Sequence, residues 1–245
     1  MKVKNLGTKE DGWAGPAGKS FGIEHGCRNG CLYCWARLEK DKKGFISWDD
    51  WCNPIPRKTK QSISHLENGR YMFPSTHDIC PENQQAVLQV CLEILKKDND
   101  LLIVSKPNYK SINFLAQKLL DYIDRIEFRF SIGSTNSKIL KRFEPHAPSF
   151  LERKRSLMLV HSLSYRTSVS IEPYLDVFPE EIVRELKEFV SGDFWVGPMN
   201  YLSQLTRKVP ALSELCYIYS PIIRLMIKQK LDNIKGVSIK YKNNW

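Results

Sequence analysis

Residues 26–34 read Gly26-Cys27-Arg28-Asn29-Gly30-Cys31-Leu32-Tyr33-Cys34, a C-x3-C-x2-C spacing placed directly after Ser20 to Glu24, which reads as a strand. Cysteine thiolates are the usual ligands of iron–sulfur clusters, and a loop this tight can wrap one. Gly26 and Gly30 let the backbone come close to inorganic sulfides. Three ligands on a four-iron cube leave one iron open, as reactive metal sites require and closed structural sites do not. Cys27, Cys31 and Cys34 are therefore the expected ligands of a [4Fe-4S] cluster. A structural zinc usually takes four ligands in paired groups. No second pair exists here, although Cys52 or His25 could complete such a set. Buried cysteines that share this spacing by chance are the third reading.

Outward from this loop, short β-rich runs alternate with helical patterns, the rhythm of β/α units around a parallel sheet. Strands are expected at Tyr71–Phe73, Leu101–Val104, Ile126–Ile132, Thr167–Ile171 and Phe194–Val196. After Pro81, the residues Ala86, Val87, Val90, Cys91, Ile94 and Leu95 fall at helical spacing. Pro179 stands at a first helical turn, with Ile182, Val183, Leu186, Phe189 and Val190 on one face. Ser149 and Glu152 are spaced as a capping box for a helix to about His161. Residues 44–69, with Trp48, Trp51, Pro54 and Pro56, look like an irregular insertion. Beyond Asn200 a helix over Leu212–Leu231 and a last strand at Val237–Tyr241 are expected. The fold class is α/β with about six units: a partial barrel over 1–202, followed by a 203–245 extension.

The chain has 245 residues, a net charge of +10 and a pI near 9.2, which favours acidic partners such as nucleic acid. Solvated basic faces would give the same charge. The first twenty residues hold no apolar run, and the apolar stretch Leu215–Ile227 is interrupted by Pro221 and Arg224. A signal peptide, a membrane span and export are therefore not expected, and a cytoplasmic location is. Seven cysteines, an odd count without export signals, point to metal or catalytic thiols rather than a disulfide framework.

The loop resembles the signature of the radical S-adenosylmethionine (SAM) superfamily, including the aromatic Tyr33 just before the last cysteine. The resemblance extends to the spore photoproduct lyase-related branch. It is carried by Arg142-Phe143-Glu144-Pro145-His146-Ala147-Pro148, by Ser168-Val169-Ser170-Ile171-Glu172-Pro173, and by the shorter Val104-Ser105-Lys106-Pro107 and Gly197-Pro198-Met199-Asn200. It implies a partial TIM-like (β/α)6 barrel with the cluster loop after the first strand and the site at the C-terminal ends of the strands. It also implies SAM as cofactor, chelated to the open iron and cleaved reductively to methionine and a 5′-deoxyadenosyl radical. Flavodoxin or ferredoxin would be the electron donor.

Further residues follow from this resemblance. The glycine-rich turn that receives the SAM amino group is here Phe73-Pro74-Ser75-Thr76-His77-Asp78. Its glycines are absent, but Ser75, Thr76 and Asp78 supply acceptors for an ammonium group. Ser105 and Lys106 end the third strand, Lys106 as partner of the SAM carboxylate. Ser131 and Ser134 end the fourth, where ribose hydroxyls are held. Glu172 closes the fifth after an apolar run, where an unpartnered carboxylate is costly. Met199 and Asn200 are candidates for the adenine pocket. Cys80 is a candidate hydrogen-atom donor, with Cys52 behind it; Cys91 and Cys216 read as packing. Trp48 and Trp51, with Arg57, Lys58 and Lys60, either clamp a base and phosphate or pin the insertion to the barrel.

Three functions remain open on the sequence. The first is a radical SAM enzyme repairing or modifying a nucleic acid or nucleotide. The second is a radical SAM enzyme acting on a peptide or small metabolite. The third is a zinc-stabilised nucleic-acid-binding module.

Overall fold

In the computed structural model, residues 21–57, 68–242 and 245 are described; Ser20, Lys58 and Lys60 lie outside them. Six strands lie side by side in chain order. They are β3 (Arg70–Phe73), β4 (Asp100–Ser105), β5 (Ile126–Ser131), β6 (Arg166–Ile171), β7 (Asp193–Val196) and β8 (Ser238–Tyr241). Each pairs in parallel with the next. β3 and β8 are the two edges, so among the described residues the sheet stays open, a partial barrel of the TIM-like kind.

Side-chain alternation explains the layering, since successive residues of a strand face opposite sides. Tyr71, Phe73, Leu101, Ile103, Phe128, Phe130, Val169, Ile171, Phe194 and Val196 share one core with Val87, Ile112, Leu157 and Ile182 from the helices. The opposite face is more polar. Among the described residues Met72, Leu102 and Val104 form a small apolar cluster there, and Glu127 is ringed by Arg70 at 2.6 Å, Arg129 at 3.0 Å and Arg166 at 3.3 Å.

The expected first strand is shorter and lies elsewhere. Only β1 (Glu24–His25) is strand, paired antiparallel with β2 (Ile55–Pro56) from the insertion. The backbone around it is satisfied without a sheet ladder. Ser75 N donates to Phe21 O (3.0 Å), Arg57 N donates to Ile23 O (2.7 Å), and Ile23 N donates to His77 Nε2 (3.0 Å). The sheet's sixth strand is instead β8, from the segment beyond residue 203.

Helices fill the connections. α1 (Trp35–Lys42) follows the cysteine loop, and α2 (Gln84–Leu95) buries Val87, Val90, Cys91, Ile94 and Leu95 but leaves Ala86 exposed. α3 (Tyr109–Lys118), α4 (Ser137–Phe143) and α5 (Phe150–Ser162) come next. Ser149 Oγ accepts from Glu152 N (3.2 Å), half of the expected capping box. The Glu152 carboxylate caps α3 instead, accepting from Asn108 Nδ2 (3.1 Å) and Tyr109 N (3.0 Å). α6 (Pro179–Leu186) begins on its proline, and Phe189 falls in the 3-10 turn after it. α7 spans Leu202–Lys208. The single late helix expected over 212–231 is broken into 3-10 turns at Pro210–Leu215 and Tyr217–Tyr219 and then α8 (Pro221–Asp232). Pro221 lacks the N–H that continuity would need. Among the described residues no helix is long and apolar enough to cross a membrane.

Candidate active site

At the C-terminal ends of the strands lies a cavity of about 840 Å³ whose wall includes Cys27, Cys31 and Cys34. Its shape starts with the loop. Gly26 adopts φ +105°, and a Cβ there would fall 2.7 Å from Trp51 O. That carbonyl accepts from Cys27 N at 2.9 Å. Gly30 (φ +61°) carries the chain past Cys52, whose Sγ lies 3.0 Å from where a Cβ would be. Cys34 is the N-cap of α1, its Sγ accepting from Arg37 N at 3.4 Å. Burial pushes all three thiols above their ordinary pKa. Among the described residues no three His, Cys, Asp or Glu side chains converge as ligands of a single ion would.

The loop is bolted to the end of α4 and the turn that follows it. Leu32 N donates to Phe143 O (2.9 Å) and His146 N to Asn29 O (3.3 Å). Tyr33 Oη donates to Glu144, and Arg153 Nη2 donates to the other oxygen of the same carboxylate. Arg153 also donates to Ser131 O (3.1 Å) and Pro148 O (2.8 Å). Glu144 and Arg153 are both fully buried. Burial works against the Arg153 charge, but Glu144 and, more weakly, Tyr33 and Cys31 reverse the shift and raise its pKa. Tyr33 thus lines the cavity with its ring while its hydroxyl is held from 111 residues away. In the sequence Glu144 stands out only within the 142–148 stretch that carries the resemblance; nothing local shows that it reaches the loop.

On the facing wall, Asp78 organises the ends of β3 and β4. Its carboxylate accepts from Lys106 N (2.6 Å), Asn29 Nδ2 (2.8 Å) and Ser105 Oγ (3.1 Å), with Lys106 Nζ at 3.9 Å and Cys27 Sγ at 3.7 Å. Burial would raise the Asp78 pKa, yet Lys106 and these hydrogen bonds overcome it and hold the group below its ordinary value. Burial likewise opposes the charge on Lys106, and Cys31, Asp78 and Glu144 outweigh it, so Lys106 stays a cation beside the cysteines. Thr76 Oγ1 is buried on the cavity wall without a hydrogen-bond partner.

Glu172, Met199 and Asn200 line the far side together with Ser131. Asn200 Nδ2 donates to Glu172 Oε1 (2.9 Å), and Lys242 Nζ lies 3.3 Å from Glu172 Oε2. Lys242, 4% exposed, arrives with the chain after β8 and passes where Gly197 has no Cβ. Nothing in the local sequence marks Lys242, because its partner lies 70 positions earlier.

Twelve of the residues expected to hold the cluster or the cofactor therefore meet around one cavity: the three cysteines, Tyr33, Ser75, Thr76, Asp78, Lys106, Ser131, Glu172, Met199 and Asn200. Three others do not line it. Ser105 is buried behind Asp78, accepting from Ile79 N (3.0 Å). Ser134 donates to Asp176 and accepts from Asn136 N (2.9 Å), closing the turn before α4. Cys80 lies under Arg28, whose Nη1 is 3.6 Å from its sulfur, and burial raises its thiol to about 11. Trp51 is wholly buried against Cys27, Ala36 and Ile46, so it pins the insertion and offers no face to a base. Trp48 holds Arg37 over its ring at 4.2 Å and Lys208 at 5.6 Å.

The same fold occurs in two solved proteins. A spore photoproduct lyase variant with bound AdoMet and dinucleoside spore photoproduct superposes with a TM-score of 0.60 at 16% identity, over 91% of this chain and 76% of that one. SuiB of Streptococcus suis bound to the precursor peptide SuiA gives 0.59 at 11% identity, over 91% and 48%. SuiB bound to S-adenosylmethionine gives 0.56 at 10% identity, over 91% and 50%, so the chain spans about half of SuiB. No protein-family model matches the chain, and no curated relative matches it. At these identities the likeness defines a fold: an open α/β barrel that in both neighbours accompanies bound SAM.

Proposed function

We propose that the chain is a radical SAM enzyme that cleaves S-adenosylmethionine reductively at a [4Fe-4S] cluster held by Cys27, Cys31 and Cys34. The observation that carries this reading is the meeting of three loop cysteines, a buried cation and an unpartnered polar atom on the wall of one cavity. The donor set fits the group: three thiols for a four-metal cube, with Lys106 at hand to balance thiolate charge. When bound, the cluster supplies the single electron that splits the SAM sulfonium into methionine and a 5′-deoxyadenosyl radical.

The chain's own residues bind and orient. Thr76, with Ser75, offers oxygen acceptors to the SAM ammonium, and Lys106 is a fixed cation for its carboxylate. Asp78 is already saturated by protein donors, so its part is to hold Asn29 and the Lys106 backbone in register. Glu172, fixed by Asn200 and Lys242, accepts from a hydroxyl of SAM or substrate. Met199 supplies an apolar wall for the adenine. Ser131 lies on the same wall for the ribose.

Reduced flavodoxin or ferredoxin would deliver the electron in a cytoplasm that keeps the thiols reduced. The net charge of +10 favours a nucleic acid or nucleotide as substrate over a peptide. The test is anaerobic: iron-loaded, dithionite-reduced protein given SAM yields 5′-deoxyadenosine, and Cys31→Ala yields none. Bound zinc with no SAM cleavage would instead establish the zinc-stabilised module.

A further inference from the structure

β8 is the least buried strand of the six-stranded sheet: its side chains alternate between exposed and half-buried, and it pairs with β7 alone. An edge strand with so little buried surface belongs to the part of a fold that opens most readily. The residue that follows it breaks this pattern. Lys242 N donates to Val196 O (2.9 Å), extending the ladder, and the side chain then turns into the barrel. Its Cγ lies 2.8 Å from where a Cβ on residue 197 would be, so only glycine there leaves the passage free. The ammonium ends 3.3 Å from Glu172 Oε2 and 5.3 Å from the centre of the buried Trp195 ring. A lysine on a sheet edge ordinarily carries its charge out to water, and turning it inward is costly unless a partner meets it.

Each charge of this pair depends on the other. Asn200 Nδ2 donates to Glu172 Oε1 (2.9 Å), whereas among the described residues Glu172 Oε2 receives no hydrogen bond. The amide fixes one oxygen, and Lys242 meets the charge. Without that cation a nearly buried carboxylate is left beside a neutral amide, an arrangement that costs free energy. Withdrawing β8 takes Lys242 out of the barrel, so the docking of the strand and the placement of the carboxylate form one two-state element. Glu172 lines the cavity; Lys242 stands behind it. A ligand that meets the placed carboxylate therefore favours the docked strand, and by linkage the docked strand favours the ligand by the same factor.

We propose that Lys242 is a positioning residue: acting through Glu172, it makes docking of the C-terminal edge strand and occupation of the cavity two halves of one equilibrium. The inference rests on the proposed function in taking SAM as an occupant that meets Glu172. On this account the segment beyond residue 203 is part of the site and not an appendage to the barrel.

The experiment uses the full-length, cluster-reconstituted protein under anaerobic conditions. Equilibrium dialysis reads SAM affinity, and mass spectrometry of peptic peptides reads hydrogen exchange of the β8 amides with and without saturating SAM. In wild type, SAM slows β8 exchange about tenfold, the ordinary scale of coupling between linked sites. Lys242→Met and Glu172→Gln each weaken SAM binding about tenfold, and the double variant is no weaker than either single. In Glu172→Gln, SAM leaves β8 exchange unchanged. A merely structural Lys242 would weaken binding equally in both backgrounds, and the two losses would multiply to about a hundredfold. Three results overturn the inference: multiplied losses, a Lys242→Met protein within about twofold of wild type, or wild-type β8 exchange indifferent to SAM. The last needs no variant, so it decides the matter even where Lys242→Met fails to load its cluster. Coupled losses without 5′-deoxyadenosine refute the proposed function alone. Formation of 5′-deoxyadenosine with multiplied losses refutes the inference alone, and a wild type that binds no SAM refutes both.

Discussion

Replacing Glu144 by Gln tests how the cysteine loop is held. The substitution keeps the shape of the side chain and an acceptor for Tyr33, but leaves the Arg153 guanidinium buried without its counter-charge. Two backbone carbonyls, Ser131 O and Pro148 O, still accept from Arg153, so its donors are not all orphaned. Breaking a buried pair from one side costs roughly 3–5 kcal/mol. Because of those carbonyls, the lower end of that range, about 3 kcal/mol, is expected. For a chain of this size, that is a fall in melting temperature of about 6–12 °C. The assay is urea and thermal unfolding of the metal-free protein followed by circular dichroism, with iron uptake measured alongside. A double variant, Glu144→Gln/Arg153→Met, should recover much of the loss, because it removes the buried charge while the amide oxygen still accepts from Tyr33. A Glu144→Gln protein within about 0.5 kcal/mol of wild type, the scatter of ordinary surface changes, would refute the reasoning. So would a double variant as unstable as the sum of its singles.

Gly197→Ala puts a Cβ 2.8 Å from Lys242 Cγ and 3.4 Å from Glu172 Cγ, so it should destabilise by about 1–3 kcal/mol and weaken SAM binding in equilibrium dialysis. Gly26→Ala meets both a φ of +105° and the Trp51 carbonyl at 2.7 Å, and is expected to lower iron content per chain while far-ultraviolet dichroism stays native. Cys80, with its thiol raised to about 11, should alkylate slowly at pH 8 and about tenfold faster per pH unit up to pH 10. The exposed Cys216 should label readily over the same range, as peptide mass mapping would show.

What the sequence displays depends on distance along the chain. The cysteine loop is legible because its three thiols lie within eight residues, and β4 to β7 because alternating Leu101/Ile103 and Phe128/Phe130 mark a packed face. Glu172 is legible through the cost of a carboxylate after an apolar run, and its partners Asn200 and Lys242 supply the compensation. Ser20 to Glu24 reads as a strand by composition, but the hydrogen bonds of Phe21 and Ile23 go to His77, Arg57 and Ser75, which only the tertiary fold brings near. The tie from Tyr33 to Glu144 and Arg153, and the role of Trp51 under Cys27, are invisible for the same reason. Ser105 and Ser134 sit at the ends of the predicted strands, yet each turns to a backbone or carboxylate partner distant in the chain, Ile79 N and Asp176, rather than to the cavity.

Electron paramagnetic resonance of the anaerobically iron-loaded, reduced protein, recorded before and after SAM is added, probes the open iron itself. The expected result is a [4Fe-4S]⁺ signal whose g-values shift on SAM addition and which is lost in Cys27→Ala. A cluster signal unmoved by SAM, or one that survives removal of Cys27, would contradict a three-thiolate cluster with a vacant vertex.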